Sequence, residues 1–143
     1  MSRASRALLG LLLGACAAPG RRDSSAVLEV LLAQASAWNR GDLEGYMRGY
    51  LESPDLSFFS GGTVTEGYAP VLERYRKRYQ SEGREMGALS FEELRVDRLA
   101  SDAALVRGRF RLKAPDGETT GLFTLLLRKT KGGWRIVHDH TSV

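Results

Sequence analysis

The sequence predicts a single α+β domain, and three observations predict it. Apolar residues in the first half of the chain recur at helical spacing, and those after Gly87 alternate with charged residues at a period of two. Glycine-containing turn signals separate the alternating runs. At 143 residues and 43% hydrophobic composition, the chain has the size of one domain with an ordinary core.

The opening stretch, MSRASRALLGLLLGAC, carries two arginines and no acid ahead of an apolar run from Ala7 to Ala15. That is the layout of an export signal, and the run is too short to span a bilayer, which takes about 20 apolar residues. Leu13-Gly14-Ala15-Cys16 resembles the lipobox of bacterial lipoproteins, and Cys16 is the only cysteine in the chain. A lone cysteine makes neither an internal disulfide nor a zinc site, so a lipid is the expected use of its thiol. The expected division is a signal peptide over 1–15, a lipidated Cys16 with a Pro/Gly/charged tether over 16–24, and a folded domain over 25–143. Two or more acyl chains anchor a protein stably. The expected location is therefore the cell envelope, on the outer membrane if the cell has one, since Ala17 differs from the aspartate of an inner-membrane retention signal.

The formal charge is +4, from 21 basic and 17 acidic residues. Removing Arg3 and Arg6 with the leader leaves 19 basic residues and a net charge of +2. This balance, without a basic tail or an aromatic-basic ribbon, argues against a nucleic-acid partner.

Val27, Leu28, Leu31, Leu32, Ala35 and Trp38 recur at helical spacing and predict a first helix over Ala26 to Trp38. Gly41 interrupts it and Asp42 caps a second, in which Leu43, Tyr46, Met47, Tyr50 and Leu51 share a face before Ser53-Pro54 closes it. LSFFSGGTVTEG reads as a small hairpin turning at Gly61-Gly62. Pro70 opens a third helix with Val71, Leu72, Tyr75 and Tyr79 on one face. Arg74, Arg76, Lys77 and Arg78 fall on its other face, which is expected to be solvated.

Beyond Gly87, Leu94 and Val96 alternate with charges, as do Ala104, Val106, Gly108, Phe110 and Leu112 with Arg107, Arg109, Arg111 and Lys113. An Asp116-Gly117 loop pairs Phe110 with Phe123 and Val106 with Leu127. A Lys131-Gly132 turn then sets Leu127 opposite Ile136, Leu125 opposite His138 and Phe123 opposite His140. In this register Trp134, Ile136, His138 and His140 share the inner face, and Asp139 points outward. Leu105, Leu122, Leu126 and Val137 fall on the outer face among arginines and threonines. A partly apolar outer face predicts a homodimer packed sheet to sheet.

Three helices, a short hairpin and a long antiparallel sheet ending in GGWRIVHDHTSV resemble the nuclear-transport-factor-2-like superfamily, more narrowly its SnoaL-like, ketosteroid-isomerase-like branch. The resemblance is carried by AWNRGDLEGYMRGYL, FFSGGTVTEGYAPVLERY and the terminal strand. It implies a cone, in which a curved antiparallel sheet wraps three N-terminal helices and leaves an apolar pocket at its wide end. It does not carry over the steroid-isomerase site. The base aspartate expected after the second helix is replaced by Leu56-Ser57-Phe58-Phe59, and the first helix has no tyrosine.

Trp38, Tyr46, Tyr50, Phe59, Tyr68, Tyr75, Phe110, Phe123, His138 and His140 are the expected pocket residues, although aromatics at helical spacing equally serve a core. For the histidines, the chain's only two, two readings stay open. One is a core-edge imidazole bonded to a tyrosine or a carbonyl; the other is acid-base chemistry at His138, whose ordinary pKa of about 6.5 suits it. A metal needs at least a third ligand, and only Glu66 or an unplaced loop acid could supply it, so neither metal nor cofactor is expected. No phosphate loop, nucleophile elbow or paired-carboxylate motif is present. Two functions follow as expectations: an anchored module that binds a small, largely apolar molecule or assembles as a dimer, or an isomerase, cyclase or dehydratase using His138.

Overall fold

The computed structural model describes residues 19–143, with side chains from Ser24 onward. The expected signal peptide and Cys16 lie outside the described residues. Helix α1 spans Pro19–Asn39, so helix begins within the stretch expected to be tether. Its buried residues are Val27, Leu31, Gln34, Ala37 and Trp38; Leu28 and Ala35 are half-buried, and Leu32 faces solvent. Helix α2 is only Leu43–Met47, capped by the Asp42 carboxylate accepting from the Gly45 amide at 2.8 Å. That bond holds the Asp42 carboxyl below its ordinary value.

Although Tyr50 continues the helical spacing, the chain leaves the helix before it. The Ile136 amide donates to the Gly49 carbonyl and the Leu51 amide to the Ile136 carbonyl, both at 2.8 Å. Sheet bonding thus replaces the next helical turn. A side chain at Gly49 would lie 2.6 Å from Gln34, so only glycine lets this segment pass so close to α1.

Strands β1 (Ser57–Ser60) and β2 (Thr63–Glu66) form the expected hairpin about Gly61-Gly62, and α3 follows at Tyr68–Tyr79 with Pro70 in its first turn. Strands β3 (Ala88–Ala100), β4 (Ala103–Ala114), β5 (Gly117–Thr130) and β6 (Gly133–Ser142) complete a six-stranded sheet of order β2-β1-β6-β5-β4-β3. The sheet is curved and unclosed, the cone expected of the fold. All neighbours are antiparallel except β1 and β6. The inner face closes on the helices over a core that includes Val106, Leu125, Leu127, Trp134 and Ile136.

Two register expectations are corrected. The β4–β5 loop is Pro115-Asp116 rather than Asp116-Gly117, so Gly108 faces Phe123 and Val106 faces Leu125. Proline pre-sets the backbone angle at the first loop position. A two-residue slip leaves every side chain on its expected face.

The second correction reverses faces. On β6, Ile136 pairs with Leu127, but the next pairing joins His138 to Leu126, leaving Val137 as an extra residue in a β-bulge. Beyond it Asp139 turns inward, and His138 and His140 turn outward. The bulge sits where β6 changes partners along one edge, from the Gly49–Leu51 segment at Ile136 to β1 at His138.

Candidate functional site

Helices, hairpin and inner sheet face enclose a cavity of about 270 Å³. Its deep walls are the buried Gln34, Trp38, Tyr46, Tyr50, Phe58, Phe123, Leu125 and Asp139; Gly61, Arg78 and Val143 are its exposed lining residues and mark the mouth. Of the expected pocket residues, Trp38, Tyr46, Tyr50, Tyr75, Phe110 and Phe123 line it. Phe59, Tyr68, His138 and His140 do not.

Phe59 lies on the outer face with its ring 4.9 Å from that of His138 and 5.9 Å from that of His140, edge to face. His138 Nδ1 is 2.7 Å from Ser57 Oγ. Burial and then the neighbouring His140 hold the His138 pKa below its ordinary value. Tyr68 packs half-buried against the core, which raises its pKa. The bulge therefore removes both histidines from the pocket, and His138 is not placed to serve a ligand there.

Asp139, which sequence patterning turned outward, is the acid of the site. Its side chain is sealed in, the residue being 4% exposed. The Tyr50 hydroxyl donates to Oδ2 at 2.7 Å and the Thr141 hydroxyl to Oδ1 at 2.8 Å. Both bonds favour the charged form, yet burial dominates and pushes the carboxyl up to about 6.

Tyr50 belongs to a tyrosine cluster. The Tyr46 hydroxyl lies 3.3 Å from those of Tyr50 and Tyr75, which are 3.5 Å from each other. Burial, reinforced by the Asp139 charge, raises all three hydroxyls above the ordinary tyrosine value. They remain neutral donors at any ordinary pH. Trp38 fixes the cluster from behind: its indole N–H donates to the Met86 carbonyl at 3.1 Å, and its ring meets Tyr46 edge-on at 5.0 Å.

Of the basic face on α3, Arg76 and Lys77 are exposed as expected, but Arg74 and Arg78 line the cavity. Arg74 lies over the Phe58 ring at 4.8 Å and donates to the Thr65 hydroxyl and the Ser60 carbonyl, both at 2.9 Å. The pocket thus sets a weak acid and three neutral hydroxyls deep in an aromatic cavity with two guanidinium groups on its wall. Asp139 can donate a proton to an acceptor below about pH 6 and accept one above it. No group of three or more metal-ligating side chains occurs among the described residues.

Fold and site together define a class. The SnoaL-like domain model matches residues 27–143, and the chain belongs to that family. It is similar to a nuclear-transport-factor-2-like protein of unknown function from Shewanella oneidensis MR-1, with 36% identity over 84% of this chain and 98% of the other, at a TM-score of 0.79. A nuclear-transport-factor-2-like superfamily protein from Salmonella enterica serovar Typhimurium is 20% identical, with coverage of 86% and 92% and a TM-score of 0.71. A ketosteroid isomerase-like protein from Erwinia carotovora atroseptica is 23% identical, with coverage of 82% and 93% and a TM-score of 0.63. The latter two share the fold. No curated protein matches the chain significantly.

Proposed function

We propose that this protein is an envelope-anchored domain that binds a small, largely apolar molecule and acts on it by proton transfer through Asp139. The observation that carries the reading is the buried Asp139 carboxyl at the cavity wall, bonded by Tyr50 at 2.7 Å and poised near pH 6. A group that titrates close to neutrality both gives and takes a proton readily. Asp139 is the only carboxylate side chain lining the cavity among the described residues. One-group chemistry of this kind shifts a proton within a substrate whose carbonyl is held by the tyrosine cluster, as in an isomerisation, or takes a proton from carbon and returns it to a hydroxyl that departs as water, as in a dehydration. His138, on the opposite sheet face, has no part in it.

In this reading Cys16 carries the lipid that anchors the chain, and the outer sheet face joins two copies. Leu105, Leu126 and the half-exposed Leu122 support the dimer, lying among ion pairs such as Arg107–Asp97 at 2.6 Å and Arg111–Glu92 at 2.9 Å. Intact-mass analysis of membrane-extracted protein checks the anchor: a Cys16→Ser variant loses the lipid mass, and an unchanged mass refutes the anchor.

The test of the pocket is native mass spectrometry of the full chain purified from its host. A small molecule is expected to travel with the wild type and to be lost in Thr119→Trp, which fills the cavity from a half-buried lining position. With that compound as substrate, Asp139→Asn abolishes turnover and His138→Gln preserves it. Full activity in Asp139→Asn sinks the catalytic reading.

A further inference from the structure

Two residues that line the cavity take no part in that proton transfer. Arg74 and Arg78 stand one helical turn apart on α3, so their side chains lie on one side of the helix. Arg76, between them, faces away and pairs with Glu44 at 2.6 Å. On the sheet, Arg107, Arg109, Arg111 and Arg128 each meet a carboxylate. Arg74 and Arg78 meet none among the described residues. Arg74 is held in place by neutral acceptors alone, and Arg78 lies against the Tyr79 ring at 5.5 Å. The cavity's one carboxylate side chain among the described residues, Asp139, is bonded to Tyr50 and Thr141, and neither guanidinium group makes an ion pair with it. Two positive charges beside aromatic walls are thus left to meet an anion from outside the chain.

We infer that the pocket takes a small aromatic or alicyclic carboxylic acid as its anion, the carboxylate held by Arg74 and Arg78 and the ring buried among Phe58, Phe91, Phe110 and Phe123. The inference rests on the pocket reading above and names its ligand class. Guanidinium groups bind carboxylates in charge-assisted, often paired hydrogen bonds. The aromatic walls suit a ring, and 270 Å³ limits the ligand to about one or two rings. This polarity sets the ligand's orientation: the charged end stays by the guanidinium groups, and the opposite end reaches Asp139 and the tyrosine hydroxyls. A carbonyl or hydroxyl on the ring is then the group that reacts, and the carboxylate is a handle.

The test titrates the purified full chain by calorimetry with two matched pairs, benzoate against benzamide and 2-naphthoate against 2-naphthamide. The acid of at least one pair is expected to bind about tenfold or more tightly than its amide, a preference of the size expected for a charge-assisted contact. Arg78→Gln, at an exposed side chain that makes no ion pair among the described residues, removes that preference without weakening the amide. Arg74→Gln does the same if it folds. Equal affinity for acid and amide, or an acid preference that survives Arg78→Gln, overturns the carboxylate assignment while leaving the pocket reading intact. If none of the four compounds binds, the ligand class falls, and the co-purified molecule and its loss in Thr119→Trp decide the pocket separately.

Discussion

Replacing Asp139 by asparagine isolates the cost of the buried acid. The carboxyl titrates near 6 in the folded chain, against an ordinary value of 3.8. Between these values the folded protein retains a proton that the unfolded chain has released. Stability therefore falls as pH rises through this window, and the full loss is reached above about pH 6. At 1.36 kcal/mol per pKa unit, the difference amounts to roughly 3 kcal/mol. Asparagine keeps the shape and both neighbours. Its carbonyl accepts from Tyr50, and the Thr141 hydroxyl turns to accept from its amide. The variant is expected to match the wild type within about 1 kcal/mol at pH 4 and to exceed it by up to about 3 kcal/mol at pH 8. Urea unfolding followed by tryptophan fluorescence from pH 4 to 8 measures both proteins. Subtracting one curve from the other cancels the titrating groups that do not interact with Asp139. Parallel stability profiles refute the buried, raised carboxyl, and with it the argument that the β6 bulge turns Asp139 inward.

Tyr50→Phe removes the hydroxyl that favours the charged form of Asp139, so the carboxyl should titrate higher than in the wild type. Stability above pH 6 should fall by about 1.5–3 kcal/mol, the range for a hydrogen bond to a charge. Carbon NMR of labelled aspartate reads the titration directly, and an unmoved midpoint contradicts the 2.7 Å bond. Gly121→Ala places a methyl group against the Ser142 carbonyl and 2.6 Å from the Phe110 ring. A loss of about 1–3 kcal/mol is expected, and a neutral effect in thermal unfolding means that the β5–β6 pairing is looser than described. Leu122→Glu puts a charge at a half-exposed outer-face position, 51% exposed. Sedimentation velocity should show a folded monomer where the wild type is a dimer; a monomeric wild type removes the dimer.

Much of the architecture was legible because it is local. The Val27, Leu31 and Trp38 stripe, the Gly61-Gly62 turn and the alternation along β4 and β5 depend on residues a few positions apart, and each recurs in the structure. The two-residue slip at Pro115-Asp116 cost nothing, because an even shift preserves the faces. The site was less legible because it depends on an odd shift. Ile136-Val137, two apolar neighbours in an alternating strand, was the one available signal of a bulge. Read without it, the strand exchanged Asp139 for the two histidines.

An α+β domain and the order of its helices and strands were legible, and six of the ten expected pocket residues line the cavity, since helical and strand periods are properties of neighbouring side chains. Which polar groups meet in the cavity depends on contacts between distant parts of the chain. The parallel pairing of β1 with β6, the Gly49–Leu51 segment against Ile136 and the extra residue at Val137 join parts of the chain far apart in sequence. Pattern along a single strand carries no record of a partner strand, yet it is the partners on either edge of β6 that place the bulge and bring Asp139 to Tyr50.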